Sequence, residues 1–195
     1  MVRLLGAVLV AGGAAWMGLS AAEGLKRRVR ALDALVDGLS LLEQELELDS
    51  PPLPELMERL ISRSAGPARA LFQGCRESLD RLSREPFSQS WRRLTETLPG
   101  LDGEALRALE PLGDTLGRCD WQEQQRRVAA VRGRIETLRD RAEEEQRLIR
   151  QAKALLMDIN RMTEAEAHRF LQKRSMDTGT RLAEAAQHII DRYTY

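Results

Sequence analysis

Apolar positions recur at steps of three and four along most of the chain, the period of an amphipathic helix rather than of a strand. Leu25, Val29, Leu32, Leu35, Val36, Leu39, Leu42 and Leu46 form one such stripe, and an uncharged apolar run from Leu4 to Ala22 precedes it. One helix is therefore predicted from the start of the chain to about Leu48, where Asp49-Ser50-Pro51-Pro52 stops it. Pro54 suits the first turn of a second helix, with Leu56, Leu60 and Ile61 inward, and Gly66-Pro67 breaks it. A third helix carries Leu71, Phe72, Cys75, Leu79 and Leu82, and Pro86 marks its far boundary. A fourth, short one holds Trp91 and Leu94 and ends near Pro99-Gly100. Asp102 is placed as the N-cap of a fifth, with Leu106, Leu109, Leu112 and Leu116 following, Pro111 as a kink point inside it and Gly117 at its end.

Asp120 caps the longest periodic stretch. Val128, Val131, Ile135, Leu138, Ala142, Glu145, Ile149, Ala152 and Leu156 alternate steps of three and four, a heptad seam interrupted once by Glu145. A helix reaching Ile159 would be about 60 Å long at ~1.5 Å per residue. Its seam fits pairing with a second copy through residues 128–156, and it equally fits packing of its first half on the preceding helices. Gln124 is placed to reach back to Asp120. Thr163-Glu164-Ala165-Glu166 then reads as a capping box opening a helix with Ala167, Phe170 and Leu171. After a short turn at Met176–Thr180, a last helix carries Leu182, Ala185, Ala186, Ile189 and Ile190.

The run from Leu4 to Ala22 is about 19 residues, about 28 Å as a helix, close to the ~30 Å hydrocarbon core of a bilayer. Lys26, Arg27, Arg28 and Arg30 follow it directly, which orients the remainder of the chain toward the cytoplasm. Ser20-Ala21-Ala22 also has the small residues of a signal-peptide cleavage site. A signal peptide carries its charge excess before the apolar run, and here the excess comes after it, which favours an anchor. The expected localisation is the cell membrane, single-pass, with the bulk of the chain cytoplasmic.

Composition sharpens the fold class. Aromatic residues make up only 4% of the 195 residues, against 43% hydrophobic and 31% charged. Such a chain builds helices rather than sheets, so the expectation is all-α. The formal net charge is zero, but from Arg147 onward nine basic residues face six acidic ones, leaving +3 on a mildly acidic body. A basic tail of this kind attracts an anionic partner. Cys75 and Cys119 have no close Cys or His neighbour, which argues for free thiols rather than a metal site or disulfide. Trp91 and Trp121 read as core or groove anchors, and Trp16 as part of the membrane helix. Neither a Gly-rich phosphate loop nor a nucleophile elbow occurs in the sequence, so no enzyme, catalytic residue, metal or cofactor is expected.

Two resemblances add to this reading. The apolar first helix, Pro52-Leu53-Pro54-Glu55-Leu56, and Leu112-Gly113-Asp114-Thr115-Leu116-Gly117 with Asp120 and Gln124 resemble stage III sporulation protein AB of endospore-forming bacteria, over residues 1 to about 147. That resemblance implies a helical domain similar to the cytoplasmic domains of the platform protein of type II secretion systems. It also implies a place in the channel-like complex between mother cell and forespore, with other membrane proteins of that complex as partners. The family typically ends in a second membrane helix, and no uncharged apolar run long enough to span occurs after Ala22.

In its place, Ala152-Lys153-Ala154-Leu155-Leu156-Met157, then Thr163 to His168 with Leu171, then Ser175-Met176-Asp177, Leu182 and Ala186, resemble an ANTAR domain over about Gln146 to Tyr193. The resemblance implies a three-helix module that binds paired RNA hairpin loops as a transcription antiterminator. Three parts follow: an anchor at 1–22, a helical domain at 23–147 and an RNA-binding module at 148–195. Candidate phosphate contacts are Lys153, Arg161, Arg169, Lys173, Arg174 and Arg181, though the same residues also fit dispersed solubilising charge. His168 is the first candidate for stacking on a base and Tyr193 the second. Residues 1–147 would then serve a sporulation assembly or, alternatively, only localise or dimerise an antiterminator.

Overall fold

The computed structural model describes residues 2–48, 51–81 and 85–194, with the side chains of 2–22, 48 and 194 outside that description. Among the described residues the chain is all-α: α1 (Val2–Leu48), α2 (Leu53–Arg63), α3 (Gly66–Leu79), α4 (Phe87–Glu96), α5 (Gly103–Thr115), α6 (Trp121–Asn160), α7 (Glu164–Thr178) and α8 (Leu182–Thr194). The backbone of α1 runs unbroken to Leu48, as its stripe predicts. The apolar run expected in the membrane, Leu4–Ala22, lies outside the described side chains; among the described residues no helix is long and apolar enough to cross a membrane.

The chain divides into two compact units, Arg27–Asp140 and, separately, the residues up to Lys26 with those from Arg141 onward. In the first unit the core is leucine-rich. Leu32, Leu35, Leu39 and Leu42 of α1 are buried, as are Leu56, Met57 and Leu60 of α2 and Leu71 and Phe72 of α3. The Trp91 ring of α4 is buried too, and its indole N–H donates to the Leu109 carbonyl at 2.9 Å, so burial leaves no polar atom orphaned. Gly113 makes room for that ring: a Cβ there would sit 2.9 Å from Trp91 Cδ1. At Gly100 the backbone takes φ +89°, a region that disfavours any side chain.

Helix ends follow local chemistry. The Asp102 carboxylate accepts from Ala105 N at 3.0 Å, and Asp120 from Glu123 N at 3.0 Å. Pro111 lies inside α5, which continues to Thr115. Gln124 meets Asp120 only through its backbone N–H, which donates to the Asp120 carbonyl at 3.0 Å, and not through its side chain. Its amide instead accepts from Gly117 N and donates to the Cys119 carbonyl, closing the turn that begins where Gly117 adopts φ +74°. Trp121 is 49% exposed, which corrects the core half of its reading as a core or groove anchor; it stands in the first turn of α6.

Within the first unit α6 is tied to α1 by Arg132, which donates to Glu43 at 2.8 Å, and by Gln125, which donates to Glu47 at 3.1 Å. Val128, Val131, Ile135 and Leu138 are all buried inside one chain, and so are Ala142, Ala152 and Leu156 further along. The alternative of packing within the chain therefore accounts for these buried seam positions without a second copy. Glu45 of α1 is buried as well, its carboxylate gripped by Arg59, at 3.2 Å, and by Arg63 of α2.

Candidate nucleic-acid interface

The second unit has its own small core. Ala152 and Leu156 of α6, Ala167 and Leu171 of α7, and Ala186, Ile189 and Ile190 of α8 bury one another, with Leu148, Ile149, Leu155, Met162, Leu182 and Tyr193 packed around them. The alanines present only a methyl group where the end of α6 meets the two short helices α7 and α8.

The sequence of α7 specifies both of its ends. Thr163 and Glu166 form a complete capping box: Glu166 Oε2 accepts from Thr163 N at 2.8 Å, and Thr163 Oγ1 accepts from Glu166 N at 3.4 Å. Oε2 also accepts from Thr163 Oγ1 at 2.8 Å, and the two bonds it accepts from Thr163 hold the Glu166 carboxyl below the ordinary carboxylate value. At the other end Gly179 takes the left-handed conformation at φ 64°, and Thr180 N donates to the Ser175 carbonyl at 3.1 Å. The helix therefore ends at Thr178, three residues into the stretch read as a turn. Between α6 and α7, Arg161 has φ 52°, unusual for a residue with a side chain, and turns the chain sharply.

The predicted contact residues divide into two groups. Arg161, Arg169, Lys173, Arg174 and Arg181 are exposed, and among the described residues none of their side chains makes an ion pair. Arginines of the first unit such as Arg59, Arg63 and Arg132 are instead bound to acids. Lys153 departs from the expected open contact. Its ammonium pairs with Glu164 at 2.6 Å and its side chain is only 16% exposed. Hydrogen bonding to Lys153 is the main reason the Glu164 carboxyl is held low, with Lys26 and His168 adding smaller contributions.

The expectation for His168 is overturned. It is 6% exposed, on the buried side of α7 beside Ala167 and three residues before Leu171, so its ring is not available to a base. Tyr193 is half-buried, and its hydroxyl accepts from Asn160 Nδ2 at 3.3 Å. Among the described residues of this unit an aromatic ring that is exposed is that of Phe170, at 37%, with Met176 further along at 82%. Helical spacing carried that signal: Phe170 stands about 100° round the helix from Leu171, away from the buried stripe.

The chain is thus a leucine-rich helical unit and a small three-helix module that carries exposed basic side chains. Residues 3–155 match the family Stage III sporulation protein AB, and residues 137–190 match the ANTAR domain. The chain belongs to the stage III sporulation protein AB family and has a two-part architecture, the two matches overlapping along α6. It is 28% identical over 149 residues to the stage III sporulation protein AB of Bacillus subtilis (strain 168), covering 75% of this chain and 86% of that relative. A solved structure of a stage III sporulation protein AB superposes with a TM-score of 0.54 at 25% identity, covering 63% of this chain and 98% of that one.

Proposed function

We propose that this chain is a non-enzymatic, membrane-anchored component of the stage III sporulation assembly that carries an RNA-binding module at its C-terminus. Residues 1–22 anchor it, residues 23–147 pack against other proteins of the channel between mother cell and forespore, and residues 148–195 bind RNA hairpin loops. The observation that carries the reading is the family match across residues 3–155, continued by a second match at 137–190. The apolar run at Leu4–Ala22, followed at once by Lys26, Arg27, Arg28 and Arg30, supports the anchor and its orientation. The exposed cations Arg161, Arg169, Lys173, Arg174 and Arg181 support the RNA half.

A second reading is an antiterminator whose first 147 residues only localise it; the ANTAR match favours it. Deleting residues 54–120 while keeping the tail separates the two. The assembly reading expects a block in sporulation, and normal sporulation of that strain removes it. RNA binding by the full chain is expected to fall steeply with salt. Five phosphate contacts give a log–log slope near −3.5, at about −0.7 per phosphate of a single strand. A slope near zero removes the RNA half of the proposal. Membrane association is tested by alkaline extraction of cell membranes, in which a spanning anchor stays with the lipid pellet.

A further inference from the structure

Resting on the RNA reading above, the structure assigns Phe170 as the residue that stacks on an unpaired base of the RNA loop, with Lys173 and Arg174 holding the phosphates beside that base.

Three observations meet on the outer side of α7. Phe170 is 37% exposed on a helix whose buried residues are Ala167, His168 and Leu171, so part of its ring is open to solvent. Lys173 and Arg174 follow it by three and four residues, the two positions that neighbour it on a helix surface. Both are exposed, and among the described residues neither makes an ion pair. An aromatic face bordered by two free cations fits a nucleotide: the base covers the ring and the flanking phosphates meet the charges. Arg169, on the other side of Phe170 in sequence, is exposed as well.

The choice of occupant follows from charge. A second copy of the chain docking symmetrically on this face would bring Lys173 and Arg174 toward their own counterparts, with like charges opposed. The acids of α7 relieve this only in part: Glu164 is taken by Lys153 and Glu166 by the capping box, which leaves Asp177, four residues beyond Lys173, as one carboxylate against two cations. A polyanion with exposed rings satisfies both features of the face.

The test uses the full chain in mild detergent and RNA hairpins selected for binding to it from a pool with randomised loops. Phe170→Leu keeps apolar volume without a flat ring and is expected to weaken binding at least about fivefold, the lower range of a lost base stack. Phe170→Trp is expected to bind as well as the unaltered chain. A 2-aminopurine placed in the loop is expected to lose fluorescence on binding the unaltered chain and the Phe170→Trp variant, but not Phe170→Leu. Lys173→Ala with Arg174→Ala is expected to lower the salt slope by about 1.4, two phosphates at roughly 0.7 each.

If Phe170→Leu binds as tightly as the unaltered chain while the double charge variant is weakened, stacking is wrong and the RNA reading stands. If no hairpin can be selected with the unaltered chain, both fall. If Phe170→Leu instead turns a sedimenting dimer into a monomer with RNA binding unchanged, the face is a self-association surface and the assignment is overturned. Matching far-ultraviolet circular dichroism of the variants establishes that folding is unaffected.

Discussion

The two cysteines show what burial does to a single side chain. Cys75 has no exposed surface, and desolvation pushes its thiol up to about 12, so almost none of it is thiolate near neutrality. Cys119 is half-buried, in the turn before α6. Maleimide labelling of the native chain at pH 8 is expected to modify Cys119 alone, and Cys75 only after denaturant is added; mass spectrometry of the peptides reads the outcome. Glu45 is the converse case, a buried carboxylate retained because Arg59 and Arg63 both reach it. Replacing both arginines with alanine leaves that charge buried without its partners. It is expected to lower stability in urea unfolding by more than Glu45→Gln does, since the glutamine leaves no uncompensated charge behind. The polar character of position 45 was plain from sequence, but its burial was not. It lies beside Leu46 on the edge of the stripe, and only the arginines arriving from α2 determine that it turns inward.

Among the elements, α7 depends most on its carboxylates. Folding holds both Glu164 and Glu166 below their ordinary value, through Lys153 and Thr163 respectively. In acid the unfolded chain therefore takes up protons before the folded one does, and stability falls with pH. The contribution is complete above the ordinary glutamate value of about 4.3 and drains away as the pH drops through the lowered folded values. Thermal unfolding followed from pH 5 to pH 2.5 is expected to lose part of this dependence in a Glu164→Gln, Glu166→Gln variant. The capping box itself was legible before any coordinates, because a hydroxyl and a carboxylate three residues apart leave few alternatives. The seam of α6 was legible as a stripe but not as an interface. Val128 to Leu138 show the same three–four spacing whether they face α1 or another molecule, and periodicity contains no address. His168 and Phe170 exchange their expected exposure for a related reason. Both flank the Ala167–Leu171 stripe, and residue chemistry rather than angular position was given the greater weight.

Over the whole molecule, two cores of different make-up lie on one chain. The first unit buries leucines, Phe72 and Trp91; the second buries three helices' worth of alanine, leucine and isoleucine. Less apolar surface per residue leaves less free energy against local opening. Amide hydrogen exchange is expected to be faster in α7 and α8 than in α3 and α5, and equal protection of the two sets would contradict this. The fold class, the helix order and the two-family organisation were readable in the sequence, since each depends on local pattern. The fit of Gly113 under the Trp91 ring was not, because it joins residues of two different helices.

The half-exposed indole of Trp121 gives the chain an intrinsic optical reporter. In a Trp16→Phe background its emission is expected to lie to the red of that of sequestered Trp91 and to be quenched by iodide, which Trp91 resists. Any protein that seats itself over the opening turn of α6 will then announce itself as protection from the quencher, with no label attached.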